Sequence, residues 1–362
     1  MDGENGGDRD GERDGERGGE VAGMKGRRVL VTGGMGFIGS AFVRLLRRER
    51  PDWEVDVLDK LTYAGNPENL RELVDTGEIR FFHGDICTKA AVEPLMADAD
   101  VVVNFAAETH VDRSIMFAGD FVTTDVYGTF VLLEAARAHG IERFVQISTD
   151  EVYGDAPGRP SREDDALMPK SPYAASKAGA DRLAYSYHQT YGLPVVITRC
   201  VNNFGPRQYP EKLVPLFVTN VLEGKPLPVY GSGRNTREWV HVDDHCRALL
   251  ELIDEPGVEG ETFNIGTGVE LSVLDITEQI VRALGRGREL IKHIEDRPGH
   301  VVRHAVDSQK LKNRTGWHPK LSFEEAMRAT VQWYVDNERW WMPIKSGEFK
   351  AYYEKAYHGL GG

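Results

Sequence analysis

The chain has 362 residues, 41% of them hydrophobic, with 57 Asp and Glu against 44 Lys and Arg and a formal charge of -13. Its length exceeds the roughly 150-residue prior for one domain, which indicates a large α/β unit or a core with a smaller partner. No run of about 18 uncharged apolar residues occurs, excluding a membrane-spanning helix, and an acidic chain without a basic stripe argues against nucleic acid as a partner.

Residues 1–25 hold eight acids and four bases among glycine repeats (DGERDGERGGE). Such a segment cannot bury enough apolar surface to offset its ordering entropy, so a disordered acidic tail is expected there. It lacks the basic start and apolar stretch of a secretory signal. Cys87, Cys200 and Cys246 are odd in number and far apart, with no CxxC pair and no His at zinc-ligand spacing. Neither a disulfide nor a metal site is expected, and reduced thiols fit a cytoplasmic protein.

From residue 27, β-branched runs alternate with helical patterns: RRVLVTG, a helix near 37–49, WEVDVLD, a helix near 66–75 and EIRFFHGD. The series continues with ADVVVNFAA, a helix near 119–138, RFVQISTD, a helix near 172–191 and LPVVITR. This rhythm predicts βαβ units and a Rossmann-type, doubly wound parallel sheet. Beyond about residue 200 Pro and Gly become frequent (Pro206, Pro210, Pro215, Pro226, Pro228, Gly231, Gly233), as in a smaller lobe built around a ligand. The expected division is a tail at 1–25, a dinucleotide-binding unit at 26–200, a smaller mixed α/β lobe at 201–345 and an extension at 346–362.

VLVTGGMGFIGS ends a strand and opens a helix, with Gly33, Gly36 and Gly39 spaced G-x-x-G-x-x-G. Glycine suits a tight turn and lets backbone N–H groups approach a pyrophosphate at a helix N-terminus. Asp59, twenty residues after Gly39 at a strand end, can accept hydrogen bonds from a ribose 2′-hydroxyl and repels a 2′-phosphate, favouring NAD over NADP. The alternative for Asp59 is a solvated strand-end acid. Asp85, in FFHGDI, either accepts from the adenine amino group or caps a turn.

Tyr173 and Lys177 in SPYAASKAGAD are four apart on a predicted helix and project from one face. A nearby ammonium and a positive nicotinamide ring would favour phenolate and make the tyrosine a usable base. Ser148, Thr149, Asp150 and Glu151 follow the strand RFVQI at the carboxyl edge of the sheet. Adjacent acids in a loop are commonly solvent-facing, but opposite a Tyr/Lys pair they are candidates for one acid and one base in different environments.

These segments resemble the extended short-chain dehydrogenase/reductase superfamily, and closely its nucleoside-diphosphate-glucose 4,6-dehydratases. The resemblance covers about residues 27–340 through TGGMGFIGS, DKLTYAGN, HGDI, AAETHVDRSI, ISTDEVYG, SPYAASKA, NNFGPRQYPEKLVP, REWVHVDDH, FNIGTG and DRPGH. STDEVYG is the most specific, because related epimerases generally lack its Asp-Glu pair. The resemblance implies that Tyr173 takes the proton of a glucose 4-hydroxyl, aided by Thr149, with Lys177 tuning the phenol and holding the nicotinamide ribose. Glu151 would then remove the C5 proton and Asp150 protonate the departing 6-hydroxyl, giving a 4-keto-6-deoxy sugar from dTDP-glucose with NAD regenerated at each turnover.

Implied cofactor contacts are Gly33, Gly36, Phe37, Ile38, Gly39, Asp59, Lys60, Thr62, Asp85, Ile86, Ala106 and Ala107, with Tyr173 and Lys177. Implied substrate contacts are Thr109, His110, Asn203, Glu211, Lys212, Leu213, Pro228, Tyr230, Arg237, Asn264, Arg297 and His300. Arg237 and Arg297 suit a diphosphate through bidentate hydrogen bonds, with a surface ion pair the equal alternative for Arg297. The family also implies a homodimer through the helices near 119–138 and 172–191. Three departures stand out: Thr109 for a commoner Ser, Met35 for Ala in the glycine loop, and Val301 and His304 where Asp and Tyr are usual. The last leaves nucleotide preference open. The alternatives are a UDP- or GDP-hexose 4,6-dehydratase, a 4-epimerase, and a non-catalytic NAD-sensing scaffold.

Overall fold

The computed structural model describes residues 26–296 and 300–347. The acidic segment 1–25, residues 348–362 of the C-terminal extension, and Arg297 lie outside the described residues.

The β-branched runs form β1 (Arg28–Thr32), β2 (Glu54–Asp59), β3 (Arg80–His83), β4 (Val101–Asn104), β5 (Arg143–Thr149) and β6 (Val195–Cys200). The chain then adds β7 (Asn202–Phe204), β8 (Leu227–Tyr230), β9 (Thr236–His241), β10 (Thr262–Ile265), β11 (Glu270–Ser272), β12 (Ile291–Ile294) and β13 (Arg303–His304). One seven-stranded sheet has the order β10-β6-β5-β4-β1-β2-β3, every pairing parallel. β4, β5 and β6 are buried along their whole length, because helices cover both faces and leave no solvent side for polar alternation. On one face Phe42 and Leu46 of the helix Phe37–Glu49 meet Leu249 and Ile253 of the helix Val242–Asp254 in one core. On the other face Val92, Leu132 and Ala184, from the helices Lys89–Met96, Thr129–His139 and Pro172–Tyr191, pack into a second. Strand order reverses between β1 and β4, which opens a crevice at their carboxyl ends.

The smaller layer centres on β9, paired antiparallel with β11 and parallel with β7 and β13, beside a parallel β8–β12 pair. Phe204, Phe217, Trp239, Ile280 and Tyr334 fill its core. Among the described residues, no helix is long and apolar enough to cross a membrane.

Four elements differ from the sequence reading. β10 joins the large sheet beside β6, and the helix Val242–Asp254 packs on the same layer, although both follow residue 200. A single cut near residue 200 therefore does not separate the layers. The helix expected near 66–75 is broken into a 3-10 turn, Pro67–Asn69, capped by the Asn66 side chain, and a short helix Arg71–Asp75. The helix near 119–138 begins earlier, as Val111–Met116 and Ala118–Phe121, and passes through a π-helical turn, Val122–Gly128, before Thr129–His139. That turn carries Asp125 inward, where its carboxylate accepts from the Glu108 N–H at 2.8 Å and the Ser176 hydroxyl at 2.6 Å. Such turns recur where a helix must redirect a side chain.

Candidate active site

The glycine loop turns at Gly33, whose φ is +68°, and a Cβ there would meet the Ala106 backbone nitrogen at 2.6 Å. At Gly39 a Cβ would strike the Gly33 carbonyl oxygen at 2.3 Å, so glycine lets the helix start pack against the strand end. Gly36 is the N-cap of the helix Phe37–Glu49 and supplies no side-chain cap. The first-turn N–H groups are thus left to whatever sits above them. Asp59, 8% exposed, accepts from the Met35 N–H at 2.9 Å and the Leu61 N–H at 2.8 Å. Burial raises its pKa and the two backbone donors oppose the rise.

Lys60 Nζ lies 2.7 Å from Asp85. Asp85 also accepts from the Cys87 N–H at 2.9 Å, the turn-capping role. Burial works against its ionisation, but Lys60 and the Cys87 N–H outweigh that and hold the carboxyl below its usual range.

Tyr173 and Lys177 project from the helix Pro172–Tyr191, which Ser171 caps through the Ala174 N–H. Lys177 Nζ, buried, donates to the Ile147 carbonyl at 2.7 Å. Thr149, at the end of β5, is hydrogen-bonded to the Tyr173 phenol and accepts from the Glu151 N–H at 3.3 Å. Burial, then Glu151, Asp125 and Asp150, push the phenol well above its ordinary value. Burial also lowers Lys177, which Asp125 and Asp181 partly restore. The Tyr/Lys reading calls on the lysine together with a positive nicotinamide ring, and in the chain alone burial and the neighbouring carboxylates dominate.

Asp150 and Glu151 occupy a 3-10 turn, Asp150–Tyr153. Asp150 is 3% exposed; its Oδ1 accepts from the Thr149 hydroxyl at 3.2 Å and its Oδ2 has no hydrogen-bond partner. Burial, then Glu151, push its pKa up to about 8, against the pull of Arg237. Asp150 sits just behind the cavity wall, whereas Glu151 lines it.

One cavity of about 460 Å³ spans the crevice. It is lined by all twelve residues that the resemblance assigned to the cofactor alone, from Gly33 to Ala107, and by Thr149, Glu151, Tyr173 and Lys177. Thr109, His110, Asn203, Glu211, Lys212, Leu213, Pro228, Tyr230, Arg237 and His300 line it too. Lys212 Nζ donates to Thr109 Oγ1 at 3.0 Å, tying the two layers across the crevice. At the far end Tyr230 and His300 meet edge to face at 6.3 Å, and Arg237 donates to the Thr236 and Val301 carbonyls at 2.8 and 3.0 Å.

Asn264 is a correction. It has no exposed surface and does not reach the cavity, because its amide donates to the Ser161 and Asp307 carbonyls and its Oδ1 accepts from the Tyr153 hydroxyl. Sequence reasoning also missed several partners. Tyr63 and Arg113 hold Glu211, at 2.8 and 3.1 Å. His245 shares a hydrogen bond with Asn203 at 2.9 Å and is kept neutral by burial, its pKa pushed down to about 3. Tyr63 and Arg113 stood inside quoted motifs, but nothing in their spacing marked them; Asp125 is brought in by a π-helical turn that periodicity does not reveal.

Residues 30–330 match the family described as GDP-mannose 4,6 dehydratase. A dTDP-glucose 4,6-dehydratase of Streptomyces niveus is 51% identical over 88% of this chain and 96% of its own. The crystal structure of the Streptomyces venezuelae dTDP-glucose 4,6-dehydratase DesIV, with NAD and a dTDP ligand bound, is 49% identical with a TM-score of 0.85 over 88% of this chain and all of that one. A Thermus thermophilus UDP-glucose 4-epimerase in complex with NAD is 34% identical, with a TM-score of 0.79 over 86% of this chain and 99% of that one. The Asp150–Glu151 pair, the cavity around it and the family match extending over most of the sequence place the chain in the nucleotide-sugar 4,6-dehydratase family, on its dTDP-glucose side.

Proposed function

We propose that the protein is an NAD-dependent hydro-lyase that converts dTDP-glucose to dTDP-4-keto-6-deoxyglucose. The observation that carries this reading is that Tyr173, Lys177 and Glu151 line one cavity while Asp150, the neighbouring carboxyl in a drier environment, lies just behind its wall. The cavity fits NAD: uncapped N–H groups above Gly36 suit the pyrophosphate, and Asp59 at the end of β2 suits the adenosine ribose. Bound there, NAD would supply the redox chemistry, as acceptor and then donor of the hydride exchanged between C4 and C6 of the sugar.

Tyr173, as the phenolate that a positive nicotinamide ring beside it together with Lys177 would favour, receives the 4-hydroxyl proton, with Thr149 hydrogen-bonded to its oxygen. Lys177, fixed on the Ile147 carbonyl, contributes positive charge beneath it. Glu151, facing the cavity, takes the C5 proton once the 4-ketone has acidified it and gives a proton back to C5 as hydride reaches C6. Asp150, kept protonated by its dry surroundings, gives its proton to the departing 6-hydroxyl. Lys212, Arg237 and the Tyr230–His300 end take the nucleotide diphosphate against the overall negative charge of the chain.

The protein also forms a homodimer in this reading. Ile115, Phe117, Val122, Tyr127, Phe130 and Tyr185 are each at least 38% exposed on neighbouring helices, an apolar area that a second copy would cover. All three cysteines are free, in keeping with a cytoplasmic setting. Incubation with dTDP-glucose tests the activity: a 4-keto-6-deoxy product is expected, and better conversion of UDP- or GDP-glucose overturns the nucleotide assignment.

A further inference from the structure

Tyr173, Lys177 and Asp181 stand at i, i+4 and i+8 of the helix Pro172–Tyr191 and form one stripe along its inner side. Asp181 receives a fork from Arg199, whose Nε and Nη2 donate to its two oxygens at 2.9 and 3.1 Å. The third nitrogen of Arg199, Nη1, donates to the Tyr153 hydroxyl at 2.6 Å and the Glu163 carbonyl at 3.1 Å. Tyr153 closes the 3-10 turn that bears Asp150 and Glu151, and its own proton goes to Asn264 Oδ1 at 2.8 Å. A continuous chain of polar contacts thus joins the helix of the Tyr/Lys pair to the turn of the Asp/Glu pair. Every link is interior: Asp181 and Asn264 are 0% exposed, Arg199 1% and Tyr153 5%.

Burying this many polar groups is not an efficient route to stability, because desolvation offsets most of the attraction and apolar side chains of the same volume serve as well. What a guanidinium fork offers is direction, since its donors lie in a fixed plane. The two ends are not equally dependent on it. The helix is also held by its Ser171 cap, by Lys177 on Ile147 and by Ser176 on Asp125. The turn is four residues long, with the Thr149 cap among its side-chain anchors at its start and Tyr153 at its end.

We infer that Arg199 and the Tyr153 hydroxyl are positioning residues that keep the Asp150–Glu151 turn in register with Tyr173 and Lys177, so that elimination follows oxidation on the same bound sugar. The inference rests on the dehydratase reading and assigns to Asn264 the anchoring of Tyr153.

Tyr153→Phe tests it, because the ring and its packing against the Arg199 guanidinium, 4.8 Å from the ring centre, remain. The NAD-loaded enzyme is mixed with dTDP-glucose in a single turnover, following reduced-nicotinamide absorbance, solvent-deuterium uptake at C5 and final product. Oxidation is expected within about threefold of the parent, while deuterium uptake and product formation fall about 10- to 100-fold, as for small misplacements of catalytic groups. Reduced nicotinamide then accumulates transiently and decays slowly within the turnover. Equal slowing of both steps, or no slowing of either, overturns the inference. Arg199→Lys, which keeps the charge beside Asp181 but loses the fork, is expected to show the same split; if it does not fold, Tyr153→Phe alone decides. A parent protein that reduces NAD without forming the 4-keto-6-deoxy sugar overturns the dehydratase reading, and the inference with it.

Discussion

Asp150 lies buried just behind the cavity wall while Glu151, the next residue, faces the cavity, so one peptide bond separates a dry carboxyl from one on the cavity surface. Two carboxyls with opposite proton-transfer duties need such a difference, since identical surroundings would give them the same protonation state.

Removing either duty should leave the redox step standing. Asp150→Asn and Glu151→Gln are each expected to lower dehydration about 10²- to 10⁴-fold, the usual contribution of a positioned acid or base. Both should still reduce bound NAD when given dTDP-glucose. Product analysis by NMR beside nicotinamide absorbance separates the two steps, and loss of both together would count against the assigned roles.

The same dry carboxyl makes folding sensitive to alkali. Its pKa rises from 3.8 to about 8 in the folded chain, so across that window the native state holds a proton that the unfolded chain has released. The neutral carboxyl's stabilising contribution is complete below the lower value and is lost as pH rises through the upper one. Thermal melts of Asp150→Asn should therefore decline less steeply than the parent between about pH 5 and about pH 9.

Asp59 stands at the end of β2 and fixes the Met35 and Leu61 N–H groups, and in the proposed function it would support the cofactor in both ways. Asp59→Ala is expected to weaken NAD binding about 10- to 100-fold, the loss associated with hydrogen bonds to a charged group. The preference over NADP should shrink with it. Titration calorimetry with both dinucleotides measures the change; an unaltered NAD affinity would show that Asp59 acts only on the loop.

Tyr127 and Phe130, 5.9 Å apart and at least 40% exposed, mark the apolar face assigned to the partner copy. Charging that face with Phe130→Glu should convert a dimer to a monomer in light scattering coupled to size exclusion. A parent that already elutes as a monomer refutes the assembly.

The large sheet was legible because its signals are local: a glycine loop, strands of continuous apolar residues and helices of regular period. Pro172–Tyr191 lies where the sequence places it, between Pro at its first turn and Gly192 just past its end. The seventh strand was not legible, because TFNI is short and lies more than sixty residues beyond β6, its partner. Asn264 shows the limit for sites. Its motif was read as a ligand contact, yet nothing in FNIGTG tells an amide that meets a ligand from one that meets Tyr153. The inward turn at Asp125 escaped for a related reason: a π-helical turn shifts the register of a helix without changing its composition.

The late arrival of β10 has a consequence during synthesis. All six residues of β6 are buried in the finished fold, and the strand has an open edge until Ile265 has been made. Cys200 and Ile265 are 65 residues apart, so at about 5–20 residues per second that edge waits roughly 3–13 s for its neighbour. Nascent chains stopped before residue 262 should aggregate or bind chaperones, whereas chains carrying the strand should resist protease, a difference that ribosome-release experiments can read. Because Asn264 travels on the same strand, the Tyr153 hydroxyl that closes the turn carrying Asp150 and Glu151 gains its Asn264 acceptor only after β10 has been made.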